Sequence, residues 1–328
     1  MVEQGKATFA FSRGGSGQGG HEGYPPGHPG GAHGMPEGWP GGVMHGMQRP
    51  GQGGASVTVR GRSARVMSEV TSLAASLPVN WASSILVRAD ETRPDHIKAL
   101  IVGPEDTPYQ NGLFEFDILL GPSYPSAPPS VQLITTGRGT IRFNPNLYEC
   151  GKVCLSLLGT WAGPGWDPAT STILQVLVSI QALILVKDPF FNEPGFEGMQ
   201  NTPQGKAEST RYNRDIRKHT LQAAILEHIS GASNASVFQE VMALHFLRKR
   251  SAILKQLLEW EKSTPGTVGL CKQIRAALST LREPGAPAPP AAPESASPAT
   301  SRRDARPRGG GHAAENLPRA VEPEVDLT

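Results

Sequence analysis

Two cysteines, Cys150 and Cys154, are separated by three residues in the stretch FNPNLYECGKVCLSLL, which runs from Phe143 to Leu158. No histidine occurs within forty residues of this stretch on either side, so neither thiol has the sequence neighbour that usually activates a cysteine. Free cysteines are also among the most buried residue types, and many are only small apolar side chains. The sequence therefore leaves two interpretations open for Cys154: a structural cysteine, or a nucleophile that works without a base close to it in the chain.

Metal binding is not favoured by the spacing of cysteines and histidines. Cys150 and Cys154 are not followed by a second pair of ligands, as a zinc site would require. Four histidines near the N-terminus have no cysteine or carboxylate at ligand spacing; they are His21, His28, His33 and His45. We therefore expect no metal and no other cofactor.

The composition of the whole chain excludes several classes of protein. Among 328 residues, 31 basic and 29 acidic side chains leave a formal charge of +2, too weak a field to argue for nucleic acid as a partner. Three cysteines do not make a disulfide framework, and MVEQGKATFA has no signal pattern, so we expect a reducing, cytoplasmic environment. The most apolar run, Ile173 to Val186, has 14 residues, against the roughly 20 of a membrane span. We expect no membrane as a partner either.

Both ends of the chain differ in composition from the middle. Gly, Pro and His dominate residues 1–60, and Pro, Ala and Ser dominate from about Glu283 onward, so both tails are predicted to be disordered. The predicted organisation is a tail at 1–60, a folded domain with a C-terminal helical extension at 61–262, and a short helix followed by a tail at 263–328. Four arginines in the last tail are typical of solubility, although they also fit a nuclear address; they are Arg302, Arg303, Arg306 and Arg308.

The middle region predicts an α+β fold. A short amphipathic helix over Ala64 to Leu77 precedes four strand-like runs, which are Ser83–Asp90, His96–Gly103, Leu113–Leu120 and Ser130–Thr136. Loops this short join strands into an antiparallel meander. Helical spacing returns after the cysteine stretch, where Asp167-Pro168 is predicted to start a buried helix that ends at Asp188-Pro189.

Two further apolar stripes follow at helical spacing. The first consists of Tyr212, Ile216, His219, Ala223 and Leu226, and the second of Val241, Leu244, Leu247, Leu254 and Leu258. His219 is interpreted as a core histidine because apolar stripes are ordinarily core. We expect both stripes to cover an apolar surface.

Several ordered motifs resemble the catalytic domain of ubiquitin-conjugating enzymes. PYQNGLFEFDILLGPSYPSAPP is followed by FNPN, GKVCLSLL and GWDPA, and the cysteine of that family lies eight residues past the Asn of a His-Pro-Asn, as Cys154 does past Asn146. NPNLY, GKVCLS, GTWAGPGW and FNEPGFE look most like the large divergent branch that holds the Z-type enzyme and the conjugating domain of the giant inhibitor-of-apoptosis ligase. The resemblance covers roughly residues 64–260 and implies the ubiquitin-conjugating fold.

The resemblance also implies roles for three residues. Cys154 would accept ubiquitin or a ubiquitin-like protein as a thioester from an activating enzyme and pass it to a lysine amine of a protein substrate. Asn146 would hold the oxyanion or order the adjacent loop, and Glu193 would orient the lysine. A ubiquitin ligase is the further partner that the family implies. The alternative reading of Asn146 is a turn residue after Pro145, and that of Glu193 is an ordinary surface carboxylate.

Such a reaction answers how a cysteine can act without a local base. Exchange between two thiols needs thiolate only while the donor is docked, and a cysteine with a pKa of about 8.5 supplies some at neutral pH. A lower pKa brings no advantage in itself because nucleophilicity falls with it. A hydrolase must instead activate water, for which a general base is hard to omit.

Three positions depart from the family pattern. Asn144 replaces the His of the His-Pro-Asn, which is structural in the family rather than a proton shuttle. Ser126 replaces a large apolar residue that ligase-binding members carry, and Asp167 replaces a small polar one. The sequence therefore puts contact with the usual ligases in doubt.

Two alternative functions remain open. One is an inactive, ubiquitin-binding variant of the same fold, which would be recognised by loss of the cysteine. The other is a cysteine hydrolase in which Cys154 pairs with His219, His228 or His245, since such partners meet only in space.

Overall fold

The computed structural model describes residues 59–231 and 236–283, so most of both predicted tails lies outside the described residues. Helix α1 covers Val59–Ser76 and thus begins inside the segment predicted as a tail. Four strands follow, which are β1 (Ile85–Ala89), β2 (His96–Val102), β3 (Leu113–Leu119) and β4 (Ser130–Leu133). They form one antiparallel sheet in the order β1-β2-β3-β4, which confirms the predicted meander.

The helical part begins after the cysteine stretch. Its α-helices are α2 (Ile173–Ser179), α3 (Pro203–His219), α4 (Glu227–Ile229), α5 (Gln239–Arg248), α6 (Arg250–Ser263) and α7 (Val268–Thr280). Helix α2 continues as a π-helical stretch over Ile180–Ile184, and α3 is joined to α4 by another over Thr220–Leu226. In the described ranges, 59–231 and 236–283, no helix is long and apolar enough to cross a membrane.

Alternation along the strands divides the buried residues between two cores. The main core lies between one face of the sheet and helices α1 and α2, and includes Ile97, Ala99, Phe114 and Phe116. Residues of the other strand face, among them Leu100, Val102 and Leu113, belong to a second cluster with residues of the C-terminal helices. The sheet is therefore covered on both faces in this region.

The start of α2 corrects one prediction. Asp167-Pro168 does not cap the helix, because Asp167 instead accepts hydrogen bonds from Ala169 N (2.9 Å) and the Thr170 hydroxyl (2.7 Å) in a turn. Thr172 is the N-cap, and with Gln175 it forms a capping box whose two side chains satisfy each other's backbone N–H groups.

A buried carboxylate ties the start of α2 to α1. Glu69 is 7% exposed, accepts from the Tyr124 hydroxyl at 2.5 Å and from Ile173 N at 2.8 Å, and pairs with Arg65. Three segments distant in sequence therefore meet at one side chain. Their hydrogen bonds and the ion pair offset the cost of burying the Glu69 charge.

The second predicted stripe is confirmed only in part, because Val241 and Leu254 pack against the second cluster but two of its leucines are exposed. Leu244 and Leu258 are 39% and 54% exposed, whereas the buried residues of α5 and α6 are Met242, Phe246, Ile253, Gln256, Leu257 and Trp260. The helix breaks at Lys249 between α5 and α6, so a single helical period does not run through both.

Helix α7 packs in the same cluster through Cys271, Ile274 and Leu278. The boundary predicted at residue 262 falls in the last turn of α6, and the helices on both sides of it pack in the same cluster.

A buried polar network anchors the C-terminal helices to the loop between β2 and β3. Asn111, which is 1% exposed, donates to Gln256 Oε1 (2.7 Å) and accepts from Lys249 Nζ (3.0 Å). His245 Nε2 lies 3.1 Å from the carbonyl oxygen of Asn111 in the same loop. Because each of these groups is buried, the bonds are needed to offset their desolvation.

Candidate active site

Two consecutive turns position the cysteine stretch after β4. In the first, Leu147 N donates to Asn144 O at 2.9 Å, and in the second, Gly151 N donates to Tyr148 O at 3.0 Å. Cys154 N then donates to Asn146 O at 2.8 Å. The backbone therefore folds back so that Cys154 lies against the Asn146 turn.

Gly151 allows the second turn to pack on the sheet. Its φ is +85°, and a Cβ there would lie 2.6 Å from Leu133 O, closer than real atoms approach. Leu133 N donates to Gly151 O at 2.8 Å, so the turn extends the edge of β4. A side chain at residue 151 would push the turn away from the sheet.

Cys154 is nearly buried, with 2% exposure. Burial raises the pKa of its thiol above the ordinary value, and the positive charges of Lys152 and Arg142 partly oppose this rise. The thiol is therefore mainly protonated at neutral pH. Cys150, by contrast, lies exposed in the second turn.

The loop beyond Cys154 is fixed by one hydroxyl. Thr160 Oγ1 donates to Val153 O at 2.9 Å and accepts from Leu155 N at 3.0 Å. These bonds flank Cys154 on both sides and hold its backbone in place.

The structure places Asn146 directly beside Cys154. Its Nδ2 donates to the backbone carbonyl of Cys154 at 2.9 Å, and its side chain is buried, with the residue 6% exposed. Its Oδ1 is buried without a hydrogen-bond partner among the described residues. In this arrangement the amide donor holds the loop, and it would have to leave that carbonyl to reach an oxyanion.

Asn144 is fully buried and joins several segments. Its Nδ2 donates to the Tyr109 hydroxyl (3.0 Å) and to Ile184 O (2.8 Å), and its Oδ1 accepts from Asn146 N (2.8 Å). An amide, with both donor and acceptor, satisfies all three partners at once. Its contacts make it part of the framework that holds Asn146.

Glu193 follows a helical turn formed by Pro189–Asn192 and is half-exposed. Its carboxylate Oε2 lies 3.9 Å from Arg142 Nη2. The Arg142 guanidinium in turn lies over the ring of Tyr148, 4.2 Å from its centroid. The ion pair therefore connects the Glu193 segment to the turns that precede Cys154.

Sequence reasoning did not identify Arg142, Tyr148 or Lys152. Lys152 Nζ also lies over the Tyr148 ring, 5.4 Å from its centroid, so two cations flank one aromatic side chain near the cysteine. The signal in the sequence was an aromatic two residues after Asn146 with basic residues on either side. Only the two turns bring these three together.

The histidines considered for a hydrolase have other contacts. His228 Nε2 lies 3.0 Å from Leu113 O and His245 Nε2 3.1 Å from Asn111 O, and burial lowers the pKa of each to about 4. The His219 ring packs edge-on to Phe143, 6.3 Å between centroids. Neither His228 nor His245 is oriented toward Cys154 by these bonds.

The two other departures from the pattern lie on neighbouring loops. Ser126 and Asp167 are both exposed. Trp166 Nε1 donates to Pro125 O at 2.7 Å, and this bond joins the loop that carries Asp167 to the loop that carries Ser126. Within residues 59–231 and 236–283, no group of three or more His, Cys, Asp or Glu side chains is placed to hold a metal.

Comparison with known proteins adds a family match. The family described as ubiquitin-conjugating enzyme matches residues 65–220. The dual E2 ubiquitin-conjugating enzyme/E3 ubiquitin-protein ligase BIRC6 of Homo sapiens is 51% identical over 202 residues, which are 61% of this chain and 4% of that protein.

Two further relatives are similar over the same part of the chain. The probable ubiquitin-conjugating enzyme protein 17 of Caenorhabditis elegans is 52% identical over 205 residues, 62% of this chain and 28% of that protein. The putative ubiquitin-conjugating enzyme E2 39 of Arabidopsis thaliana is 42% identical over 206 residues, 61% of this chain and 60% of that protein. The chain thus spans less than two thirds of each relative.

Proposed function

Because residues 65–220 belong to the ubiquitin-conjugating enzyme family and are related to the BIRC6 branch, we propose that Cys154 carries ubiquitin or a ubiquitin-like protein as a thioester and transfers it to lysine. The observation that carries this proposal is the placement of Cys154, whose backbone is bound on both sides by Asn146. The helix, meander and following helices are the ubiquitin-conjugating fold, and they position that cysteine at the end of two tight turns.

The reaction consists of two acyl transfers. In loading, the Cys154 sulfur attacks the thioester carbonyl on the activating enzyme, a new carbon–sulfur bond forms, and the activating enzyme's thiol leaves. In discharge, a lysine nitrogen attacks that carbonyl, an amide bond forms, the Cys154 thiol leaves, and the amine gives up a proton. Neither step oxidises or reduces any group.

A protonated resting thiol suits this chemistry. Burial keeps the pKa of Cys154 above its ordinary value, while Lys152 and Arg142 favour the thiolate once the donor is docked. The same positive charges stabilise the thiolate when it leaves during discharge. The enzyme therefore needs no histidine beside its cysteine.

Asn146 and Glu193 have separate roles in this proposal. Asn146 supports the loop through its bond to the backbone carbonyl of Cys154. Glu193 is half-exposed near the site and orients the incoming lysine, whose ammonium must lose a proton before attack.

The expected partners follow from the reaction. They are ubiquitin or a ubiquitin-like protein, an activating enzyme, lysine-containing protein substrates and a ubiquitin ligase. For a ligase, the exposed Ser126 and Asp167 lie on two joined loops where the sequence departs from the family pattern, so a surface altered in this way selects a different set of ligases. We propose a cytoplasmic location, with the nucleus as the alternative, and no nucleic acid or membrane partner.

A loading assay tests the proposal. The full chain is incubated with ATP, a panel of modifiers and their activating enzymes, and the products are separated without reductant. We expect one modifier to give an adduct that reductant removes. Absence of an adduct with every pair would instead support an inactive binding protein, and cleavage of a fluorogenic ubiquitin substrate would support a hydrolase.

A further inference from the structure

Arg142 contacts three separate parts of the site with one planar group. Its Nη2 donates to Pro145 O at 2.9 Å, and its Nε lies 3.4 Å from Asn144 O, so the guanidinium holds the peptide groups just before Asn146. The same guanidinium lies over the Tyr148 ring at 4.2 Å and faces Glu193 across 3.9 Å. Among the described residues, no other basic side chain forms an ion pair with the Glu193 carboxylate.

We infer that Arg142 is a positioning residue, which holds the Glu193 carboxylate at a fixed place relative to the turn that carries Asn146 and Cys154. This inference rests on the proposed function and adds to it a residue without an assigned role. Glu193 would otherwise be set only by its own segment, which is joined to the site through Asn192 Nδ2, at 3.4 Å from Asn144 Oδ1.

The segment that carries Glu193 is itself well packed. Phe190 stacks on Phe196 with 4.8 Å between ring centroids, and Phe190 also contacts the Tyr212 ring at 6.1 Å. The backbone at Glu193 is therefore held by aromatic packing, while its half-exposed side chain is free to choose among rotamers. Arg142 selects the rotamer that points toward the cysteine turns.

Only arginine suits this position. A planar guanidinium donates in two directions and stacks on an aromatic ring at the same time, whereas a lysine ammonium is a compact point charge. The Arg142 guanidinium uses both properties, since it donates to backbone carbonyls in its plane and stacks on Tyr148 with its face. Lysine would keep the charge but lose the fixed geometry.

The charge of Arg142 has a second effect on the incoming lysine. A positive group beside the path of the amine disfavours its ammonium form and so favours the neutral, nucleophilic form. Glu193 attracts the ammonium, and Arg142 limits the strength of that attraction. Together the two residues allow a lysine to bind without stabilising its ammonium form strongly.

A double-mutant cycle in the full chain tests the inference. The variants are Arg142→Gln, Glu193→Gln, the double variant and Arg142→Lys, and the measurement is single-turnover discharge of the loaded enzyme to free lysine. Each single Gln variant is expected to discharge about three- to fivefold more slowly, the effect of losing one half-exposed ion pair. The double variant is expected within about twofold of the slower single one because the two residues act through one interaction. Arg142→Lys should remain slower than the parent, because it keeps the charge but loses the fixed geometry.

Two readouts separate positioning from a loss of folding. Each variant should still load to completion, and its maximal discharge rate should fall while the half-saturating lysine concentration changes less than about threefold. The difference in discharge rate between Arg142→Gln and the parent should also become smaller as pH rises, because more of the free lysine is then neutral.

Arg138→Gln, which replaces an exposed arginine on the preceding turn, is the matched control and should behave as the parent. Tyr148→Leu, which removes the ring under the guanidinium, should slow discharge, whereas Tyr148→Phe, which keeps it, should not.

Several outcomes would overturn the inference. One is a double variant whose loss of discharge rate equals the product of the two single losses. Another is full activity of Arg142→Lys, and the last is parent-like discharge of Arg142→Gln or of Tyr148→Leu. If the parent itself loads and discharges, any of these removes only the role of Arg142. If the parent does not load with any modifier, the proposed function fails and the inference fails with it.

Discussion

At the scale of single residues, the site combines a buried cysteine with side chains that bind its backbone. The resemblance to ubiquitin-conjugating enzymes, with its eight-residue spacing, singled out Cys154 and Asn146, and the structure brings these two residues into contact. It could not single out Arg142, because a guanidinium over Tyr148 depends on how two turns fold back on each other. The roles of Cys154, Asn146 and Glu193 stay predictions.

Replacement of Asn146 tests the loop contact. Asn146→Ala should load but discharge at least tenfold more slowly, since loss of the donor leaves the Cys154 carbonyl unpaired and releases the loop, at a cost of about 1–3 kcal/mol. Asn146→Asp keeps the shape but cannot donate to the Cys154 carbonyl, so it should be equally slow at neutral pH. The rate of lysine discharge measures both. Parent-like discharge of either variant would show that the donor is not needed.

At the scale of elements, β2 and β3 were predicted to within one residue and β1 and β4 as longer than they are, whereas the buried faces of α5 and α6 were predicted only in part. Alternation and turn formers mark short strands clearly, as in Leu113–Leu119. The second apolar stripe was right only in part, because the break at Lys249 changes the buried face between α5 and α6. No glycine or proline near Lys249 indicates this break in the sequence.

Adjacent leucines in α6 test which face is buried. Leu257 is 0% exposed and Leu258 is 54% exposed. Leu257→Ala should therefore reduce the free energy of unfolding by about 2–5 kcal/mol, the cost of a cavity in a core. Leu258→Ala should change it by less than about 0.5 kcal/mol. Urea unfolding of both variants gives the comparison, and equal losses would contradict the observed register.

At the scale of the whole molecule, the second core makes the C-terminal helices part of the folded unit. Leu100, Val102 and Leu113 of the sheet share this core with Phe246, Leu257 and Trp260. The sequence predicted a helical extension over these residues, but only the structure shows that it covers one face of the sheet. Conditions that destabilise the C-terminal helices should therefore also lower the free energy of unfolding of the catalytic region.

Acidification is such a condition. Burial lowers the pKa of His228 and His245 to about 4, below the value of about 6.5 expected in the unfolded chain. Above pH 6.5 both states bind no proton at these groups, whereas between pH 6.5 and 4 only the unfolded state does, so stability falls as pH falls. At pH 5 the loss should be about 2 kcal/mol for each histidine.

Urea unfolding at pH 7.5 and pH 5 measures this loss. The double variant His228→Gln, His245→Gln keeps an amide donor at each position but does not titrate, so its stability should depend less on pH in this interval. An equal slope in parent and variant would show that other groups cause the acid sensitivity.

The central claim is that Cys154 carries the acyl group, and mass spectrometry of the loaded protein without reductant tests it most directly. We expect the modifier on Cys154 alone, an adduct that reductant removes, and normal loading of Cys150→Ser. Because a hydroxyl accepts the acyl group but is a poorer leaving group, Cys154→Ser should form an oxyester that survives reductant. Modifier found on Cys150, or full loading of Cys154→Ala, would contradict the account.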